Sequence, residues 1–232
     1  MKELIRDPRL AVLYDLVRED SVVADVGTDH AYLPASLILG GKIHRAFAGD
    51  VRPGPLRNAE KTVKKYGLEG KITLVLSDGL DSFPPGCADD VVIAGMCGIL
   101  IADILSRCAW IKDPEKLVIA QPMTYPQDVR RFFFENGFDI LDETVCRDGG
   151  RLYVCMRAVF DGKNREYSYG QILFGTRDKL GPDAEEYTAK QLLTAKKRLF
   201  ALEASGQDPD EAKLLREAAE EYEKEQQKEE RK

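Results

Sequence analysis

The chain has 232 residues, 44% hydrophobic and 32% charged, with a formal net charge of −6. That length allows one full α/β domain plus a smaller unit, and that composition is ordinary for a globular protein with a sizeable core. It excludes an overall basic excess of the kind that advertises nucleic acid, and no apolar run approaches the ~20 residues of a membrane-spanning helix.

The first eight residues, Met1 to Pro8, carry neither the apolar core nor the cleavage signature of a signal peptide, so none is expected. Five cysteines, an odd number with no Cys-x-x-Cys pair, predict reduced thiols in a cytoplasmic protein rather than disulfides or zinc. With His30 and His44 as the two histidines, no metal site is expected. The charge divides into −4 from Asp183 onward and −2 before it. Local basic groups are Lys2, Arg6 and Arg9; Arg52, Arg57, Lys61, Lys64 and Lys65; and Lys196-Lys197-Arg198. Each reads first as a solvated helix face, though one face can be basic when the total is not.

In chain order, a helix is predicted over Leu10–Arg18 and a strand over Val22–Val26. Then come helix Tyr32–Leu39, strand Arg45–Asp50, helix Pro55–Tyr66 and strand Ile72–Leu76. Strand Asp90–Ala94, helix Ile99–Ala109, strand Leu117–Gln121 and helix Pro126–Asn136 follow. Alternating strands and helices at this spacing predict a parallel sheet covered on both faces. The last two strands, Phe138–Cys146 and Arg151–Phe160, have no helical pattern between them, and Arg147-Asp148-Gly149-Gly150 signals a hairpin. A parallel sheet ending in an antiparallel pair resembles the Rossmann-like fold of class I methyltransferases.

After residue 162 a linker is expected, punctuated by Gly170, Gly175 and Gly181-Pro182. From Asp183 the pattern is helical. Leu192, Ala195, Leu199 and Leu202 form one apolar stripe; Ala212, Leu215, Ala218 or Ala219, and Tyr222 form a second. They predict a coiled-coil-like helical hairpin, with Asp208 or Asp210 capping its second helix and the last eight or so residues frayed. The expected division is a domain over residues 1–162 and a linker plus hairpin over 163–232.

The chemistry concentrates at strand ends. Val22 to Val26 is an apolar run with Asp25 inside it; Gly27, Thr28, Asp29 and His30 follow. A carboxylate in an apolar strand is costly unless it holds something, which assigns Asp25 a hydrogen-bonding or ligand-holding task. A dinucleotide fold needs Gly-x-Gly-x-x-Gly so that amides can reach a pyrophosphate. Here Asp29 stands where the second glycine belongs and would repel a phosphate. S-adenosylmethionine (SAM) is phosphate-free and cationic, and Asp25 and Asp29 suit its amino-acid end. Asp50 ends the second strand, 23 residues after Gly27, where an acid is expected on the ribose hydroxyls. Asp78, before Gly79, is placed to accept from the adenine amine. Each acid alone is also an ordinary turn former; three at successive strand ends are more specific.

The fourth strand ends in Ala94-Gly95-Met96-Cys97-Gly98, whose glycines permit close approach to a flat ligand. Gln121 and Pro122 end the fifth strand facing the same cleft, with Gln121 a candidate for a base edge. Tyr32 and Met96 are candidates to pack on an adenine ring, and His30 to contact a ligand. Each also has a plain structural alternative as core or turn.

The string Asp25-Val26-Gly27-Thr28-Asp29-His30-Ala31-Tyr32-Leu33-Pro34, with Ile93 to Met96 and Asp148 to Tyr153, resembles the bacterial TrmK family. The resemblance runs the length of the chain. It implies a tRNA adenine-N1 methyltransferase acting at position 22 in the D-arm, with SAM as cofactor and a C-terminal helical domain that contacts tRNA. It implies cofactor contacts from Asp25, Gly27, Asp29, His30, Tyr32, Asp50, Asp78, Gly79, Ala94, Gly95 and Met96. It places Arg9, Gln121 and Pro122 on the substrate side, with Asp29 as the catalytic candidate. The family usually has glycine at Cys97 and asparagine at Met123, both on the target-base side. A monomer or weak dimer is expected. A methyltransferase for another RNA, a protein or a small molecule, and a non-catalytic RNA-binding protein with a SAM-like pocket, stay open as alternatives.

Overall fold

The computed structural model describes residues 4–5, 7–176, 179–181 and 183–229. Lys2, Arg6 and Pro182 lie outside them. The elements alternate as α1 (Pro8–Leu16), β1 (Val22–Val26), α2 (Tyr32–Leu39), β2 (Arg45–Asp50), α3 (Pro53–Lys65), β3 (Ile72–Leu76) and β4 (Asp90–Cys97). They continue with α4 (Gly98–Arg107), β5 (Leu117–Thr124), α5 (Pro126–Glu135), β6 (Phe138–Asp148) and β7 (Arg151–Phe160). Seven strands make one sheet in the order β3-β2-β1-β4-β5-β7-β6. The first five are parallel, and β7 runs antiparallel to both β5 and β6. Strand order reverses between β1 and β4, which puts a topological switch point at the carboxyl end of β1.

The parallel strands are buried on both faces because each face carries helices. α4 and α5 cover one face over Val26, Ile93, Val118 and Ala120. α1, α2 and α3 cover the other over Val23, Ala46, Val92 and Ile119. Asp7 caps α1 by accepting from the Arg9 amide at 2.8 Å. The β6–β7 turn places Gly149 and Gly150 at φ 53° and 75°, the doubly left-handed geometry of a tight hairpin.

Several boundaries move. β4 extends past Ala94 to Cys97 through a register shift at Gly95, whose φ of 76° favours glycine. α3 begins at Pro53, so Pro55 falls within its first turn. The expected linker contains a helix, α6 (Tyr169–Phe174), opened by a reciprocal capping box between Ser168 and Gln171.

The C-terminal hairpin is α7 (Ala184–Ser205) and α8 (Pro209–Glu229). Gly206 ends α7 in the left-handed conformation, and Asp208, not Asp210, caps α8 by accepting from the Glu211 amide. Ala195, Leu202, Ala212, Leu215, Ala218 and Tyr222 close around Phe174 of α6, so the two predicted stripes do face each other. Of the last eight residues, expected to fray, those up to Glu229 belong to α8 and the final three lie outside the described residues. Among the described residues, no helix is long and apolar enough to cross a membrane.

Candidate active site

The carboxyl ends of β1, β2 and β3 place the predicted acids along one rim. Asp25 is 8% exposed, with no cationic partner among the described residues. Burial raises its pKa to about 6, against the opposing effect of a hydrogen bond from the Thr28 hydroxyl. That hydroxyl in turn accepts from the Ala31 amide at 3.1 Å, tying Asp25 to the start of α2. The Gly27 and Thr28 amides both donate to the Gly49 carbonyl at 2.8 Å, fixing the turn to β2. Gly27 has φ 81°, and a Cβ there would sit 2.1 Å from the Met96 methyl carbon. The β1–α2 and β4–α4 turns therefore touch through Gly27 and Met96.

At Asp29, after the buried Thr28, the turn opens to solvent. The Asp29 carboxylate is 66% exposed and lies 3.4 Å from His30 Nε2. His30 stacks on Tyr32, with ring centroids 4.9 Å apart and planes 6° from parallel. Both rings line a groove of about 810 Å³ that continues along Asn58, Lys61 and Lys65 of α3.

Asp50 is buried to 7% at the end of β2, where one oxygen accepts from the Arg52 amide at 2.7 Å. Asp78 is exposed and held by Arg107 at 3.2 Å, a guanidinium it shares with Asp81 and Asp103. At Gly79, φ 55°, a Cβ would meet Ile104 at 2.8 Å. Its lack of a side chain is explained by α4 packing on the β3 turn.

The expectation that Gln121 faces the cleft gives way. It is 1% exposed; its carbonyl accepts from the Gly95 amide at 3.2 Å and its amide donates to the Pro122 carbonyl at 3.0 Å. The side chain holds the Gly95 bulge in place and is spent within the chain. Arg9 lies on the same side of the sheet edge. Its guanidinium contacts Asp7, lies 3.2 Å from Asp148, reaches the Met123 sulfur and covers the Tyr153 ring at 5.3 Å. Ala94, Gly95, Met96 and Pro122 all lie on the bulged β4–β5 segment.

The donor set suits a cationic, phosphate-free cofactor. One carboxylate without a cation partner among the described residues, Asp25, stands on β1, an exposed acid follows at Asp29, and the β1–α2 turn has no glycine-rich row of amides to hold a pyrophosphate. When bound, S-adenosylmethionine would supply a methyl group on a sulfonium. Asp25, Asp29 and Asp50 are the side chains that would hold and orient it.

Two features of this region escaped the sequence reading. Ala31 and Tyr125 are non-glycine residues in the left-handed region, at φ 54° and 56°, each immediately before a helix. Neither residue type signals that conformation.

A family profile described as "Methyltransferase domain" matches residues 6–156. The tRNA (adenine(22)-N(1))-methyltransferase of Bacillus subtilis strain 168 is 32% identical over 182 residues, 78% of this chain and 76% of its own. The crystal structure of the B. subtilis M1A22 tRNA methyltransferase TrmK superposes with a TM-score of 0.79 at 27% identity, covering 95% of this chain and 97% of that one. Streptococcus pneumoniae Sp1610 in complex with S-adenosyl-L-methionine gives 0.76 at 30% identity, covering 91% and 98%. With a Rossmann-like sheet, a rim of carboxylates and these relatives, the chain belongs to the TrmK family of methyltransferases.

Proposed function

We propose that this protein transfers the methyl group of S-adenosylmethionine to N1 of adenine 22 in tRNA. The observation that carries the reading is the rim of Asp25, Asp29, Asp50 and Asp78 across three parallel strand ends, in a TrmK-family chain. Adenine N1 has an in-plane lone pair and attacks a methyl carbon directly, so the protein's share is alignment and exclusion of water. The methylated base is cationic until it loses an N6 proton. Asp29, exposed at the open edge, is the carboxylate placed to stabilise that charge, and it is our catalytic candidate. Because N1 is a Watson–Crick atom, the adenine must be unpaired or flipped out of its stack.

Arg9 and the bulged segment through Pro122 form the RNA side of the site. We assign the α6–α8 cluster, which follows the division near residue 162, to the tRNA D-arm, as the resemblance to the TrmK family implies. A cytoplasmic monomer or weak dimer, with no metal, completes the reading.

The test is mass spectrometry of nucleosides from unmodified tRNA incubated with protein and cofactor. The expected product is 1-methyladenosine, lost when adenine 22 is replaced. Methylation of a protein or small molecule with tRNA left untouched would overturn the reading, as would cofactor binding without turnover on RNA. Affinity for tRNA is also expected to fall steeply with salt, since phosphate contacts release counterions.

A further inference from the structure

We infer that the cleft between the β5–α5 turn and α7 is a stacking site for a nucleobase beside the target adenine, with Tyr125 as its plate. The inference rests on the tRNA reading and adds a residue and a subsite to it. Tyr125 has φ 56° and ψ 50°. A left-handed backbone costs a non-glycine residue about 1–2 kcal/mol, and such strain gathers at functional sites. Burial of the ring does not offset it, because Tyr125 is 51% exposed. Among the described residues the ring pairs with no other aromatic.

The turn is packed from below. A Cβ on Gly98 would lie 2.0 Å from the Tyr125 carbonyl oxygen, so the backbones of the β4–α4 and β5–α5 turns are in direct contact. The same carbonyl accepts from the Asp128 amide at 3.1 Å. The turn that carries the ring is thus braced against the turn that carries Met96 and Cys97.

The cleft beside Tyr125 measures about 350 Å³, near the lower end of the range for small-ligand sites. Its walls include Met123, Tyr153, Gln127 and, from α7, Gln191 and Thr194. No Lys, Arg, Asp or Glu lines it. Arg9, which touches the Met123 and Tyr153 walls, is already paired with Asp7 and Asp148, so a phosphate would find no free cation there. A neutral flat heterocycle would find an aromatic face together with amide and hydroxyl partners for its edge. Tyr153, under the Arg9 guanidinium, and Tyr187, the other aromatics of the lining, are both largely buried, which leaves Tyr125 as the free face. One wall is the end of β5, next to the Gln121-held bulge, and the other is α7. A base in this cleft therefore lies between the cofactor rim and the helical hairpin.

The experiment measures steady-state methylation of tRNA by Tyr125→Ala, Tyr125→Gly and Tyr125→Phe. Cofactor affinity and thermal unfolding are measured alongside. Base–aromatic stacking lost on alanine substitution predicts a KM for tRNA raised about 5- to 150-fold in Tyr125→Ala, with cofactor affinity unchanged and kcat less affected. Tyr125→Gly is expected to share that defect while unfolding at a higher temperature, because glycine relieves the strain. Tyr125→Phe retains the ring and should recover most of the affinity. With 2-aminopurine beside adenine 22, the wild type should quench its fluorescence and Tyr125→Ala should not. An unchanged KM in Tyr125→Ala overturns the stacking site, and so does a Tyr125→Phe variant as impaired as Tyr125→Ala. A wild type that makes no 1-methyladenosine removes the tRNA reading and this inference together; an active wild type with an unimpaired Tyr125→Ala removes this inference alone.

Discussion

Arg130 of α5 and Glu143 of β6 form an ion pair in which neither side chain has any exposed surface, with Nη2 and Oε2 2.6 Å apart. The guanidinium also donates to the Ile172 and Leu173 carbonyls of α6 and to the Tyr187 hydroxyl of α7. Burial works against the Arg130 charge, but Glu143 and Tyr187 outweigh it and raise the pKa. Gly175 completes the enclosure: at φ 84°, a Cβ there would crowd both Arg130 and Glu143 at 3.1 Å. One polar cluster thus fastens α6 and α7 to the sheet.

Breaking this pair on one side should be severe. Arg130→Ala leaves a buried carboxylate without its cation, and such losses cost about 3–5 kcal/mol. Replacing both partners, as Arg130→Met with Glu143→Leu, removes both charges and should cost less than either single change. Urea denaturation of the three variants checks this. A double variant less stable than both singles would show that the pair does not carry the effect.

Asp25 predicts a pH dependence of definite sign. Its folded pKa of about 6 lies above its ordinary value of 3.8, so the folded state binds the proton more tightly than the unfolded state. Stability from this group is full below about pH 4 and is lost as pH rises to about 6. The total is roughly 3 kcal/mol at 1.36 kcal/mol per unit. Asp25→Asn should therefore stabilise the protein more at pH 7 than at pH 4, measured by denaturation at both. The same change should weaken cofactor binding and flatten its rise with pH, because the ionised carboxylate is what suits a cationic ligand. A stability gain that is the same at both pH values would exclude a raised Asp25 pKa.

Asp29 separates function from folding. Its side chain is two-thirds exposed and its one ionic partner among the described residues is His30. Surface changes of this kind shift stability by about 0.5 kcal/mol or less. Asp29→Ala should keep its unfolding temperature and lose methylation. Near-normal turnover would remove Asp29 from the site.

Much of this molecule is legible before any coordinates. Val22–Val26 and Arg45–Asp50 match the observed strands end to end, because short apolar runs closed by Gly and Asp define their own limits. The β6–β7 hairpin follows from Gly149-Gly150, since only glycine enters two left-handed positions freely. The Ser168-x-x-Gln171 capping signature was also present in the linker, masked by the glycines around it. Asp25 in an apolar strand and Asp29 in place of a phosphate-binding glycine are local chemical contradictions, visible in a row of letters. They point to a cationic, phosphate-free cofactor.

The tertiary structure decided what depends on partners distant in the chain. Arg130 and Glu143 look like solvated charges on a helix and a strand. Only the arrival of Gly175 and Tyr187 removes water and makes them an interior pair. Gln121 looks like a free amide at a strand end until Gly95 takes its carbonyl. Tyr125 carries no sign of a left-handed backbone, because its turn lies against Gly98 of another turn, a contact distant in the chain. Local periodicity and turn chemistry act over a few residues and can be read directly. Burial and strain are set by whichever segments the fold brings together.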